Sequence, residues 1–457
     1  MSRTIPQSGW WQNTGAPTAQ RPVGTPAHPP VKNAAAPFWA LMVFTFVLLL
    51  SPQSLIPALA PLHIAFVAAA LAAGLYLMQG FARRSSVARD GREVRIAACL
   101  VAWAVVTLPL SIWPGGSIAF LFGIYLKALV IFWLLASIVD SIGKLRIVAW
   151  GLSLMALPLS ASAIMSFFSG GFQTEELSRG LDRIMGYDAP LSGNPNDLAL
   201  MLNLILPLTI ALFLGSRNLA VRMLLAAFAC MDVVAIIASY SRGGFLVLGV
   251  IGAVYLFRMY RRGRRGAALI LAVLMLVSVP LLPSSYLGRL STIVDIHADQ
   301  TNSAQVRLGD SIAAASYIVR HPIAGAGIGN NILALNATRG TTWTMVHNVY
   351  LVYAVELGLP GLALFLLLLK ACLNSARDAR CAAEDNPELA ELFPLAEALG
   401  VSLLAFAVAG FFYPDAYQFY FYYFAGLAVA SKSIAARVAV PVAPRLPAFE
   451  AGWSASP

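Results

Sequence analysis

Long apolar runs, separated by short polar and basic segments, dominate the chain from residue 37 to residue 436. A membrane-crossing helix needs about 20 mainly apolar residues. Stretches of this kind cover 37–50, 60–80, 95–112, 117–139, 145–168, 195–215, 219–239, 244–258, 266–283, 345–370, 392–412 and 417–436. The pattern predicts an all-α polytopic membrane protein with about twelve transmembrane helices. No internal repeat is seen, so an inverted-repeat transporter is not suggested. The first run is short and ends at Ser51-Pro52, and Ala58-Leu59-Ala60 resembles a signal-peptide cleavage site. A polar, Pro-rich leader over 1–36 is much longer than the basic head of a signal peptide, so an uncleaved first helix is expected.

Two gaps between runs are long, 169–194 and 284–344. The second is the only sizeable hydrophilic segment between spans. It is expected to hold one helix from Ser303, with Leu308, Ile312, Ala315 and Val319 on its apolar stripe, ending in turns at Gly325, Gly327 and Gly329. The expected organisation is a disordered Pro-rich cytoplasmic leader (1–36), nine helices (37–283), a large periplasmic loop (284–344), three more helices (345–436) and a cytoplasmic tail (437–457).

Composition excludes the alternatives. Of 457 residues, 59% are hydrophobic and 11% charged, and mean hydropathy is +0.74. A soluble domain carries about 25% charged residues, so a soluble globule, a disordered chain, a collagen-like fibre and a disulfide scaffold are all ruled out. The net charge of +10 is distributed by side. Lys and Arg crowd the leader, 83–95, 144–146, 217–222, 258–265, 370–380 and 432–445, whereas the alternate loops hold only Arg179, Arg183, Arg242, Arg289, Arg307, Arg320 and Arg339. Short cytoplasmic loops are enriched in Lys and Arg, which predicts cytoplasmic termini and a periplasmic 284–344. The basic excess is thus topological, with some attraction to anionic lipid, and a nucleic-acid partner has no support. Cys99 and Cys230 fall in apolar runs and Cys372 and Cys381 on the basic side, away from any oxidising loop. His28, His63, His297, His321 and His347 are scattered, with no Cys or His pair at zinc spacing, so neither a metal nor a cofactor is expected.

Several segments could carry chemistry. Gly193-Asn194-Pro195-Asn196-Asp197 is a strong helix start: Asn at N-cap, Pro at N1 and an acid in the first turn. It is either a capped span or the lining of a polar mouth. Ser239-Tyr240-Ser241-Arg242-Gly243-Gly244 places one arginine in a short outer turn, where it either snorkels to lipid phosphate or binds a substrate phosphate bidentately. Its glycines permit close approach of a ligand or backbone. Arg307 and Arg320 flank the loop helix, with surface charge as the plain explanation of each. Gly325-Ala326-Gly327-Ile328-Gly329 lacks the Lys-Ser/Thr of a P-loop and is read as turns. His347-Asn348 stands where the loop re-enters the membrane; a histidine there is either interface packing or a base. Glu356 lies about 180° around the helix from His347, so no direct pair is expected. Lys127 and Asp232 fall inside spans and are either functional or structural ion-pair partners. The aromatics Phe411–Tyr413 and Tyr417–Phe424 are expected to form an interfacial belt rather than a sugar-stacking surface.

Taken in order, GNPND at 193–197, SRGG at 241–244, Arg307, HPIAGAGIGN at 321–330 and HNVYLVYAVELGLPG at 347–361 resemble the O-antigen ligase/polymerase family of bacterial inner-membrane proteins. The likeness covers about residues 37–436, and HN-x-x-L followed by E-x-G-x-x-G after a long loop is fairly specific as a set. The resemblance implies a metal-independent membrane glycosyltransferase in the inner membrane. Such an enzyme takes a glycan from undecaprenyl pyrophosphate at the periplasmic face and joins it to a glycan or protein hydroxyl. It raises His347 as catalytic and Arg242 and Arg307 as pyrophosphate ligands, with Asn194, Asn196, Arg320, Asn348 and Glu356 as supporting candidates. Lipid A-core ligases, repeat-unit polymerases and protein O-glycosylation ligases share the pattern. A transporter or flippase of the same lipid-linked glycan is the alternative of another class.

Overall fold

The computed structural model describes residues 35–82, 91–169, 194–278, 303–384 and 386–438. Expectations for the leader up to residue 34, for 83–90, for the loop 170–193, for 279–302 and for the tail beyond 438 lie outside the described residues. The described residues are helical, without strands. The main helices are α1 (Ala35–Leu50), α2 (Ile64–Ala82), α3 (Arg92–Val106), α4 (Pro114–Ile138), α5 (Ile142–Ser169), α6 (Pro195–Gly215) and α7 (Leu219–Ala238). They continue as α8 (Arg242–Arg261), α9 (Arg265–Ser278), α10 (Ser303–Arg320), α11 (Asn331–Arg339), α12 (Val349–Glu384), α13 (Leu392–Ala409) and α14 (Phe419–Val438).

Helix overlaps every apolar run read from the sequence, but eight helices are long and apolar enough to cross a membrane. The expected count of twelve is thus not reached by length and apolar character among the described residues. α1 and α9 are apolar but short. α3 has 15 residues and opens with Arg92, Glu93 and Arg95, and the tyrosines of α14 dilute its apolar character. The chain is a multi-pass membrane protein, and side chains such as Phe66, Met78, Met165, Phe168 and Leu276 are exposed on its helices, as lipid-facing residues would be. α6 is the most enclosed helix and packs against α13, α7 and α5; α14 packs on α4 and α12, whereas α2 buries little of itself.

The two ends of the bundle differ. At one end the starts of α3, α5 and α13 meet the ends of α8 and α14 in ion pairs. Lys432 Nζ lies 2.9 Å from Glu93 Oε1, Lys144 Nζ 2.9 Å from Asp140 Oδ1, and Arg146 Nη1 2.9 Å from Glu391 Oε2. Glu397 receives both Arg258 and Arg262, at 3.0 and 2.8 Å. The other end carries the starts of α4, α6, α8, α12 and α14, with α10 and α11 beside them.

Three expectations are corrected. The loop helix exists, as α10, but its apolar stripe is not the one expected: Leu308, Ile312 and Val319 are exposed, while Asp310, Ala313, Ala314 and Tyr317 are buried. Neighbouring elements chose the adjacent face, because the Asp310 carboxylate is held by Arg339 and Thr344. A second helix, α11, was not anticipated. The aromatic run is not a belt: Tyr413, Tyr417 and Tyr420–Phe424 are all buried, Phe412 and Phe419 are half-buried, and only Phe411 among them is exposed. The hydroxyls of Tyr413, Tyr422 and Tyr423 bond inside the bundle, Tyr422 to Tyr353 at 2.9 Å and to Tyr125 at 3.3 Å and Tyr423 to Thr45 at 2.9 Å, so these three need not reach water.

Candidate functional site

The segment 347–361 does not form one uninterrupted helix. Its first helical residue is Val349, so His347 and Asn348 precede the span rather than lying inside it. Asn348 caps the helix, its Oδ1 accepting from Leu351 N–H at 3.0 Å. Pro360 has no N–H to offer the Glu356 carbonyl four residues back, and Gly358 breaks the helix with φ 68° and ψ −175°. The carbonyls this releases cannot stay unpaired inside a membrane protein. The glycine-rich turn satisfies them: Ala326 N–H donates to Val355 O and Gly327 N–H to Glu356 O, both at 2.8 Å, while Leu359 N–H donates to Pro322 O. Trp103 Nε1 adds a bond to Leu357 O at 2.8 Å.

This contact explains the glycines. Gly325, Gly327 and Gly329 all have positive φ, and a Cβ on Gly325 would sit 2.6 Å from the Val355 carbonyl oxygen. A side chain on Gly358 would strike the Ile323 carbonyl. The turn reading of 325–329 therefore holds, and HPIAGAGIGN and ELGLPG are two faces of one interface.

Glu356 locks that interface. Wholly buried, its carboxylate accepts from the N–H groups of Gly329 (2.8 Å) and Asn331 (3.0 Å) and from Asn331 Nδ2 (2.6 Å). Asn331 Oδ1 in turn accepts from Val346 N–H at 3.2 Å, the residue before His347. Glu356 and His347 form no direct pair; they communicate through Asn331. On the other side of the histidine, Val349 N–H donates to Gly410 O at 2.7 Å.

The half-buried His347 ring lies with Nδ1 3.0 Å from the Met345 carbonyl oxygen. A carbonyl only accepts, so Nδ1 carries the proton and Nε2 keeps its lone pair. Burial, and next the positive charge of Arg307, push the imidazole down to about 4, against the smaller opposing effect of the Met345 bond. It is therefore neutral near pH 7.

The GNPND and SRGG motifs also meet. Asn194 is the N-cap of α6, its side chain accepting from Asn196 N–H at 2.9 Å. Ser241, the N-cap of α8, donates to Asn196 Oδ1 at 2.9 Å and lies 3.1 Å from the Tyr413 hydroxyl. Gly244 allows the helices to touch: a Cβ there would lie 2.7 Å from that of Ala199. Asn203 Nδ2 bridges the gap, donating to Ala199 O at 2.8 Å and Gly244 O at 3.0 Å. Arg242 is half-buried in the first turn of α8.

Arg307, on α10, connects the two clusters, since its charge acts on both His347 and Tyr413. Buried Asp415 acts on Tyr413 as well, and burial followed by the charge of Asp197 raises the Asp415 carboxyl well above the usual range. Arg320 is exposed and donates to Ser316 Oγ on its own helix, at 2.9 Å. The loop arginine Arg339 is a clamp for Asp310 and Thr344. Of the intramembrane candidates, Asp232 is buried with Ser160 Oγ donating to it at 2.7 Å, and Lys127 lies apart in a groove between α1, α2 and α4. Among the described residues no group of three or more His, Cys, Asp or Glu side chains could hold a metal ion.

Sequence reasoning missed Asn203, Asn331, Tyr413 and Asp415. Asn330-Asn331 ahead of an apolar run was a readable helix start. Nothing local marks Asn203, whose partner Gly244 is 41 residues away.

No curated protein matches the chain. A family model described as O-Antigen ligase matches residues 223–366, from α7 into the first half of α12. That match supports the kinship carried by the motifs, and the segment holding Arg242, Arg307, His347 and Glu356 is thus similar to the O-antigen ligase/polymerase family.

Proposed function

We propose that the protein transfers a glycan from an undecaprenyl-pyrophosphate carrier to an acceptor hydroxyl at the periplasmic face of a bacterial inner membrane, in the manner of an O-antigen ligase. The observation that carries the reading is the state of His347: neutral, oriented through Nδ1 against the Met345 carbonyl, with no bond to Nε2 among the described residues and the charge of Arg307 acting on the ring. In this reading the acceptor O–H gives its proton to His347 Nε2 while its oxygen attacks the anomeric carbon. The bond from that carbon to the pyrophosphate oxygen breaks, and its electron pair leaves with the carrier. Attack opposite the leaving group inverts the anomeric centre. Arg307 and Arg242 take the developing charge, for which guanidinium offers bidentate donors.

The depressed basicity of His347 suits this order of events. Arg307 weakens His347 as a base until a pyrophosphate offsets its charge, so bound donor itself raises the proton affinity of Nε2. Both termini then lie in the cytoplasm, and the ion-paired end of the bundle faces the same side, in keeping with its Lys and Arg content.

The test is the glycan profile of a strain lacking the protein, complemented with the wild-type chain or His347→Ala. A ligase predicts loss of surface glycan with accumulation of long lipid-linked chains, restored by the wild type alone. Decoration with single repeats would assign repeat-unit polymerisation instead. Full restoration by His347→Ala would refute the catalytic reading. A transporter reading would require the lipid-linked glycan to accumulate on the cytoplasmic side.

A further inference from the structure

A lateral groove of about 610 Å³ opens between α1, α2 and the short helices at 52–62 on one side and α4 and the start of α14 on the other. Its walls are largely apolar, with Phe44, Phe66 and Ile131 among them, but Lys127 also lines it. Lys127 lies on α4, a helix apolar enough to span a membrane, and shares the groove with Gln418 and Phe419 at the start of α14. It is exposed to the groove and has no hydrogen-bond or ion-pair partner among the described residues. An ammonium without a counter-charge on such a helix is costly.

Two further features surround it. α4 contains a π turn at Leu121–Tyr125, an irregularity frequent at functional sites. The extra residue turns the following segment by about 100° relative to a regular helix. One helical turn before Lys127, on the same face and toward the His347 end, stands Gly123, and a Cβ there would meet nothing within 4 Å. The space over the ammonium is therefore open. Gln53, His63 and Gln418 line the same groove and supply polar groups. Among the described residues no carboxylate lines it.

We infer that this groove binds a single net-anionic phospholipid, its phosphate over Gly123 against Lys127 and its acyl chains along the apolar wall. A cation in a groove without carboxylates matches one phosphodiester, and a surrounding bilayer presents such lipids laterally. The site is separate from the transfer reaction proposed above and stands or falls without it.

The purified full-length chain in detergent, titrated with dioleoylphosphatidylglycerol and read by native mass spectrometry, tests this. One lipid should be retained in preference to dioleoylglycerol, which has the same chains and no phosphate. Lys127→Gln should weaken retention by about fivefold, the worth of one basic residue near lipid phosphate. Gly123→Leu keeps the charge but fills the space, and should weaken it as well. Equal retention by Lys127→Gln, or equal binding of the phosphate-free lipid, overturns the inference. Displacement of phosphatidylglycerol by stoichiometric polyprenyl phosphate overturns the assigned occupant in favour of a carrier lipid.

Discussion

Glu397 and Glu356 are both buried acids, at 4% and 0% exposure, yet they stand at opposite ends of the bundle and are satisfied by opposite means. Glu397 is held by two guanidiniums, Arg262 binding both of its oxygens and Arg258 one. Glu356 is held by two backbone N–H groups and a side-chain amide. The first arrangement cancels charge and ties α8 to α13. The second consumes no arginine and instead fixes the loop that carries His347, through Asn331 and Val346. One end of the molecule uses its cations to hold helices together; the other fastens its irregular backbone with neutral donors, and the field of Arg307 falls on His347 and Tyr413.

The sharpest test of this division is His347→Ala, which should lower transfer by about 10²–10⁴-fold, the usual contribution of a general base, with an unchanged thermal unfolding profile. His347→Gln separates proton removal from positioning, and near-normal turnover would assign the base elsewhere. Arg307→Lys and Arg242→Lys should each cost about 10–100-fold in transfer, because an ammonium cannot reproduce bidentate donation. Wild-type turnover in both variants would break the proposed role of the site end.

Stability changes should follow the same split. Glu397→Ala leaves two part-exposed arginines uncompensated and should cost about 1–3 kcal/mol, measured by thermal unfolding in detergent. Transfer per folded molecule should not change. Glu356→Ala strands the N–H groups of Gly329 and Asn331, at a similar cost of about 1–3 kcal/mol, but should also reduce turnover by loosening the His347 loop. High salt should weaken the Glu397 cluster and spare the Glu356 cap. Equal salt sensitivity would collapse the contrast.

The smallest expected effect is in pH dependence. With His347 held at about 4, the acidic limb of kcat/KM should lie below the ordinary histidine value of about 6.5. Arg307→Gln removes one cause of the depression and should move the limb upward. Between pH 6.5 and about 4 the folded chain binds fewer protons at His347 than the unfolded chain does, so this residue makes stability fall as pH falls through that window. A limb that stays put in Arg307→Gln would show that Arg307 does not act on the histidine.

Helix positions, the capped start at Asn194 and the turns at 325–329 were legible in the chain because each depends on neighbours within one or two turns. The family motifs were legible for the same reason, as short strings of chemically particular residues. The buried face of α10 was not: several of its faces are small or apolar, and Arg339 and Thr344, which hold Asp310, come from further along the chain. The aromatic run was misplaced because a tyrosine reads alike at an interface and in a core; bonds such as Tyr353 to Tyr422, 69 residues apart, made the difference.

Local order was thus set by sequence alone: an apolar helical membrane chain, its basic segments alternating by side, with a histidine at the mouth of a span. Tertiary structure decided that Pro360 and Gly358 break that span, and that the carbonyls released there pair with the glycine turn some 30 residues earlier. It also decided that Glu356 reaches the His347 loop by way of Asn331. The physical reason is the same in each case. A broken helix in a membrane protein must find new partners for its backbone, and only the packed bundle determines which donors lie within hydrogen-bonding distance.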